Sequence, residues 1–102
     1  MTKTITLDAL QETLSTGTDA VILDVRERDE YQSGHIPVAK NMPLSELEMQ
    51  IDALNQDHEY IIICKKGGRA SRAGEYLDHL GYNVTVAESG MDDWKGDIKI
   101  DE

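Results

Sequence analysis

The chain has 102 residues, 39% of them hydrophobic and 29% charged, the composition of a soluble domain and a length that suits one core better than two. Asp and Glu number 20 against 10 Lys and Arg, a formal net charge of -10, and such a field repels phosphate backbones and anionic lipid, which excludes nucleic acid and membranes as expected partners. No apolar run after Lys3 is long enough for a signal peptide or a membrane span, and the single cysteine allows no internal disulfide, so a reducing compartment, the cytoplasm, is expected.

Phenylalanine is absent and the aromatics are four Tyr and one Trp, so Ile, Leu and Val must carry the core. In chain order, Ile5-Thr6 is a candidate short strand and residues 8–14 a first helix. Val21-Ile22-Leu23-Asp24-Val25 is β-branched without polar alternation, as a strand covered on both faces of a parallel sheet reads. A short helix is expected over residues 27–32 and a short strand over Ala39-Lys40-Asn41-Met42. Leu44, Leu47, Ile51 and Leu54 share one helical face, and Ser45 with Glu48 has the spacing of a capping box, so a helix is predicted there. Tyr60-Ile61-Ile62-Ile63-Cys64 is the second strong strand. Ala73, Tyr76, Leu77 and Leu80 mark a helix that stops at Gly81, a residue suited to the left-handed position after a helix. Asn83-Val84-Thr85-Val86 is a third strand, and residues 95–102 read as a polar tail, expected to fray over residues 97–102. The alternation of strand and helix with short connections indicates α/β with a mainly parallel sheet, as one domain over residues 1–102.

The segment that carries chemistry is Cys64-Lys65-Lys66-Gly67-Gly68-Arg69-Ala70-Ser71-Arg72. It begins where an apolar strand ends and finishes where a helix begins, the junction toward which free backbone N–H groups point. Consecutive Gly67 and Gly68 let the backbone turn several N–H groups inward as an anion-binding nest. Helix dipole, amides and cations together favour a thiolate, so a lowered Cys64 pKa is expected. Lys65, Lys66, Arg69 and Arg72 are four of the ten basic residues and no acid stands between them, which makes one positive spot for a small anion such as a sulfur oxyanion. Without its glycines and arginines the same cysteine would read as a buried core thiol, and the lysines as a solvated loop.

Cys64-x-x-Gly67-x-Arg69 after a buried strand resembles the active-site loop of the rhodanese family of sulfurtransferases, in its single-domain form. Leu23-Asp24-Val25-Arg26-Glu27 with Glu30-Tyr31, Gly34-His35-Ile36-Pro37 and Asn41-Met42-Pro43-Leu44 resembles the family's amino-terminal signature, and Gly90 with Trp94-Lys95-Gly96 its carboxy-terminal one. The resemblance implies a three-layer fold, a mainly parallel sheet of about five strands with helices on both faces. It also implies sulfur transfer: the Cys64 thiolate takes sulfane sulfur from thiosulfate or a related donor as a persulfide, then yields it to a thiol, to cyanide or to a partner sulfur-carrier protein. No cofactor beyond that covalent persulfide and no metal is implied. Backbone amides of Lys65, Lys66, Gly67, Gly68, Arg69 and Ala70 would hold the sulfur, with the basic side chains guiding the donor. Lys66 sits where thiosulfate-using members often carry a basic residue, whereas mercaptopyruvate-using members usually have small uncharged ones. Gly68 and Ala70 depart from the common pattern, the latter where many members have serine.

Other readings stay open beside this one. Cysteine phosphatases and arsenate reductases also cradle an anion beside a thiolate, but their loops place five residues between cysteine and arginine, and here Cys64 and Arg69 are separated by four. A non-enzymatic persulfide carrier or an interaction module could use the same fold. Asp24 and Arg26 are expected to support the loops through hydrogen bonds and ion pairs, and Arg72 either steers anions or pairs with Glu75. His35 reads as a packed turn residue, His58 and His79 as surface residues, and Trp94 as packing for the last turn.

Overall fold

In the computed structural model, which describes residues 2–101, the apolar runs become one sheet. Its strands are β1 (Lys3–Ile5), β2 (Val21–Asp24), β3 (Lys40–Asn41), β4 (Glu59–Ile63) and β5 (Asn83–Ala87), in spatial order β1-β5-β4-β2-β3. Every pairing is parallel, and the register sets Val21 beside Tyr60 and Tyr60 beside Val84. A parallel sheet of this kind needs crossovers that cover its faces, and the chain supplies α1 (Leu7–Thr16), α2 (Arg28–Gln32) and α3 (Gly68–His79).

The period of two along each strand divides the apolar residues between two cores. Leu23, Tyr60, Ile62 and Val84 face one way, onto Ala73 and Leu77 of α3, and Cys64 belongs to this side. Ile22, Ile61, Ile63 and Ala87 face the other way, onto Leu10 of α1. This is why the strands read as unbroken apolar runs: neither face meets water. Each such Ile or Leu contributes about 1.5–3 kcal/mol by leaving water, so the two layers clamp the central strand β4 from both sides. Trp94 packs against the α1 side, as anticipated.

The helix expected around residues 44–54 does not form. Two short 3₁₀ turns, Leu44–Glu46 and Ile51–Ala53, stand in its place. The apolar spacing is still used, because Leu47 is buried and Leu44, Ile51 and Leu54 pack against the α3 side. The expected cap is diverted: the Ser45 hydroxyl donates to the Glu27 carboxylate at 3.2 Å, while Glu46 takes Arg28 at 2.8 Å and the Gln50 amide at 2.6 Å. Those contacts draw the segment toward α2, and Gln50, at φ -102° and ψ 11°, interrupts the helical path.

The capping box is found instead at α2, between Glu27 and Glu30. Gly81 takes a positive φ of +94° after α3, as its position suggested. The tail is tied down as far as Asp101. His35 and Lys99 exchange backbone hydrogen bonds at 3.0 and 2.8 Å, and the Asp101 N–H donates to the Gln32 carbonyl at 3.0 Å. Glu102, the last residue of the expected fray, lies outside the described residues. Among the described residues no helix is long and apolar enough to cross a membrane.

Candidate active site

Cys64 stands one residue beyond β4, at the carboxyl end of the sheet and beside the N-terminus of α3. Cys64 is 1% exposed. The Gly67 N–H donates to Cys64 Sγ at 3.0 Å and the Ala70 N–H at 3.3 Å. Two main-chain donors and the start of a 12-residue helix thus converge on one sulfur, an arrangement that favours a negative charge there. Gly67 makes the turn, at φ +119°, and caps α3. The freedom expected of both glycines is used by Gly67 alone, since Gly68 lies within the helix and a Cβ added to it would meet nothing within 4 Å.

The loop is braced from behind by the turn after β5. The Met91 N–H donates to the Cys64 carbonyl at 2.8 Å and the Asp92 N–H to the Lys65 carbonyl at 3.1 Å. Gly90 lies flat against the same stretch, so close that a Cβ there would overlap the main-chain atoms of Lys65 and Cys64.

An open cavity of about 330 Å³ is lined by Cys64, Lys65, Lys66, Gly68, Arg69 and Arg72. The structure therefore brings together the loop residues that the sequence singled out. Lys65, Lys66 and Arg72 are exposed and make no ion pair among the described residues; in particular, Arg72 is not paired with Glu75. A larger hollow of about 570 Å³ is lined by Asp8, Glu88, Asp92, Asp93 and Trp94 among others. No cysteine lines it, and its carboxylates would repel an anion.

Arg69 departs from expectation. Instead of facing an incoming anion with a free guanidinium, it donates from Nη1 to Glu30 Oε1 at 2.6 Å and from Nη2 to Glu30 Oε2 at 3.0 Å. The Arg69 hydrogen bond, opposed by burial and aided by the Glu27 N–H, holds the Glu30 carboxyl at a pKa of about 2, well below its ordinary 4.5. The same hydrogen bond raises the Arg69 guanidinium further above its usual range, and the nearby Cys64 adds to the rise. Glu30 is thus a site residue that sequence reasoning missed. A partner 39 positions away along the chain leaves no periodic signal, although the Glu27-x-x-Glu30 spacing was there to be read as a cap.

Asp24 and Arg26 stand behind the site and do not line the cavity. Asp24 is fully buried and Arg26 is 5% exposed. The Asp24 carboxylate accepts from the Arg26 backbone N–H at 3.0 Å, from Nε at 3.0 and 3.1 Å and from Nη2 at 2.8 Å. Arg26 Nη2 also donates to the Gly34 carbonyl at 2.7 Å, and the Asn41 amide donates to the carbonyls of Asp24 and Arg26. The pair stitches β2 to the two turns that follow it. His35 is 2% exposed, its Nδ1 lies 2.8 Å from the Tyr31 carbonyl, and its ring stacks on Tyr31 with centroids 3.7 Å apart. His58 and His79 are exposed, and among the described residues no group of three or more His, Cys, Asp or Glu side chains is placed to hold a metal ion.

Comparison with known proteins agrees with this geometry. The family described as Rhodanese-like domain matches residues 6–97. The chain is 33% identical over 97 residues to the Bacillus subtilis (strain 168) protein named "Putative sulfurtransferase YtwF", covering 95% of this chain and 94% of that one. It is 28% identical over 95 residues to a protein of Allochromatium vinosum named "Sulfurtransferase", covering 92% of this chain and 89% of that one. Among solved structures, a rhodanese-like domain protein from Staphylococcus aureus superposes with a TM-score of 0.90 at 32% identity, over 98% of this chain and 99% of the other.

Proposed function

The chain belongs to the rhodanese-like domain family, and from that premise we propose that it is a sulfurtransferase that moves sulfane sulfur from thiosulfate, or a related donor, to a thiol or cyanide through a persulfide on Cys64. The observation that carries this is the pair of main-chain N–H groups on Cys64 Sγ, at 3.0 and 3.3 Å, in a cavity lined by the exposed cations Lys65, Lys66 and Arg72.

In the first step the Cys64 thiolate attacks the outer sulfur of thiosulfate. A new S–S bond forms, the old one breaks, and sulfite leaves with the electron pair of that bond. In the second step the acceptor's nucleophilic atom attacks the terminal sulfur of the persulfide, and the Cys64 thiolate is the leaving group. No electron is gained or lost overall, and with no second cysteine in the chain the sulfur must leave to an outside acceptor. The Gly67 and Ala70 amides hold the charge on Cys64 at the start and end of the cycle, already oriented. Lys65, Lys66 and Arg72 draw the donor dianion in, against a molecular charge of -10. A reducing cytoplasm, which supplies thiol acceptors, suits this chemistry.

The test loads the protein with thiosulfate and looks by intact mass for one added sulfur, then adds cyanide and measures thiocyanate. Cys64→Ala should neither gain sulfur nor turn over, and transfer that persists in that variant would refute the mechanism. Loading from thiosulfate with release only to a thiol-bearing protein would mark a persulfide carrier instead.

A further inference from the structure

Arg69 lines the Cys64 cavity from the first turn of α3, and a free guanidinium there would offer a flat fork matched to two oxygens of a tetrahedral oxyanion. That fork is already filled. Glu30 takes both of its ends, at 2.6 and 3.0 Å. Glu30 is in turn fixed from its own side, because Oε1 accepts the Glu27 N–H at 3.0 Å as half of the capping box of α2. The side chains of Arg69 and Glu30 are 33% and 27% exposed, so the pair is partly screened, with Arg69 on the lining of the reaction cavity and Glu30 behind it. The remaining cations, Lys65, Lys66 and Arg72, are exposed, and make no ion pair among the described residues. They attract an anion without clamping it.

We propose that Glu30 is a specificity-determining residue of this site: by occupying the Arg69 guanidinium it cancels one positive charge beside Cys64 and denies the loop a clamp for phosphate-like or sulfate-like oxyanions. This deepens the sulfur-transfer proposal and rests on its reading of Cys64 as the nucleophile. A sulfane donor needs its outer sulfur placed against Sγ, and a guanidinium gripping its oxygens, or those of abundant phosphate and sulfate, would hold competitors in the same cavity. The Glu30–Arg69 pair leaves the sulfur cradle to the amides and the anion attraction to the exposed Lys65, Lys66 and Arg72.

The charge balance can be read without any sulfur donor. Iodoacetate and iodoacetamide both alkylate a thiolate, with the S–C bond forming as iodide leaves, but only the first carries a negative charge. The ratio of their rate constants at Cys64 therefore reports the local potential and cancels changes in cysteine reactivity. Glu30→Gln should raise the iodoacetate-to-iodoacetamide ratio about threefold to tenfold, the size expected for one added charge near a partly screened site. Arg69→Gln should lower it by a similar factor, and the double variant should return it close to the starting value. In Glu30→Gln, sulfate should also protect Cys64 from iodoacetamide at lower concentration than in the unmodified protein. Glu30→Asp, which keeps the charge, should leave the ratio unchanged even if it loosens the loop and slows both reagents.

A ratio that stays constant across all variants, whether or not both rates fall, would overturn the proposal and reduce the pair to a structural brace. Sulfur loading of the unmodified protein from thiosulfate tests the transfer reading separately. Normal loading with a constant ratio defeats only the role given to Glu30, whereas altered ratios with no loading defeat only the transfer. A Cys64 inert to both reagents defeats the two together.

Discussion

Gly90→Ala adds one methyl group at the point where the active-site loop is held from behind. The residue sits at φ -126° and ψ -166°, extended backbone that alanine adopts freely, so the effect is steric and not conformational. The new Cβ would overlap the carbonyl carbon and oxygen of Lys65 and the carbonyl oxygen of Cys64. These are main-chain atoms that cannot rotate aside. The two segments must separate by roughly an ångström, at an overpacking cost of about 1–3 kcal/mol. The Met91 and Asp92 hydrogen bonds that tie the segments together, at 2.8 and 3.1 Å, would loosen at about 1 kcal/mol each. A loss of even about 2 kcal/mol corresponds to a Tm lower by roughly 8–16 °C in a domain of this size. The loop moves with its brace, so the Gly67 and Ala70 amides no longer meet Sγ together. Loss of one aligned donor typically costs about 100-fold in kcat. Circular dichroism melting, followed by thiosulfate–cyanide turnover at a temperature where both proteins are folded, measures the two effects separately. Unchanged Tm and kcat would show that the turn after β5 yields freely, and that it does not hold the loop in its working shape.

Asp24→Ala strands the Arg26 guanidinium, which is buried beside a fully buried carboxylate, and should cost about 3–5 kcal/mol in urea unfolding; a loss below about 1 kcal/mol would show that water or the Gly34 carbonyl satisfies Arg26 unaided. Glu30, facing Arg69, Arg26 and Glu27, has a folded-state pKa depressed from 4.5 to about 2. The stability it contributes is therefore complete above about pH 4.5 and is lost as pH falls through about 2. Glu30→Gln should accordingly be less stable than the unmodified protein near neutral pH and converge with it toward pH 2, and a gap that is constant with pH would refute the ionised pair. Lys66→Ala should weaken turnover with thiosulfate more than turnover with a neutral persulfide donor, and equal losses would remove Lys66 from donor recognition.

The strands β2, β4 and β5 and the helix α3 were legible because their signal is local: β-branched runs of the right length, and an apolar face ended by Gly81. The short edge strands carry less of it, and Thr6, expected in a strand with Ile5, instead caps α1 after β1. The same residues located the cysteine loop, since the strand-to-helix junction, Gly67 and the run of cations are adjacent in the chain. What escaped was decided by partners distant in sequence. Leu44, Leu47, Ile51 and Leu54 do bury one face, but Ser45 and Glu46 are drawn to Glu27 and Arg28, so the same period is met by 3₁₀ turns. Counting four cations in the loop also overstated its charge, because Glu30 removes Arg69 from that number across 39 positions. Residue types report what a loop can carry, while its net potential depends on the side chains that the fold brings against it.

A cysteine 1% exposed in an aliphatic core would ordinarily be inert, and the two steps of the proposed cycle meet this burial differently. In the first, the donor's outer sulfur must reach Sγ through an open cavity of about 330 Å³ that Cys64 helps to line. In the second, the acceptor need reach only the terminal sulfur, which stands one S–S bond, about 2 Å, nearer the opening. The resting sulfur is therefore recessed, while the outer sulfur of the loaded form would extend beyond it. With Arg69 held by Glu30, no fixed cation has to be displaced for that terminal sulfur to leave, and turnover depends on how firmly the Gly67 and Ala70 amides hold the sulfur that stays behind.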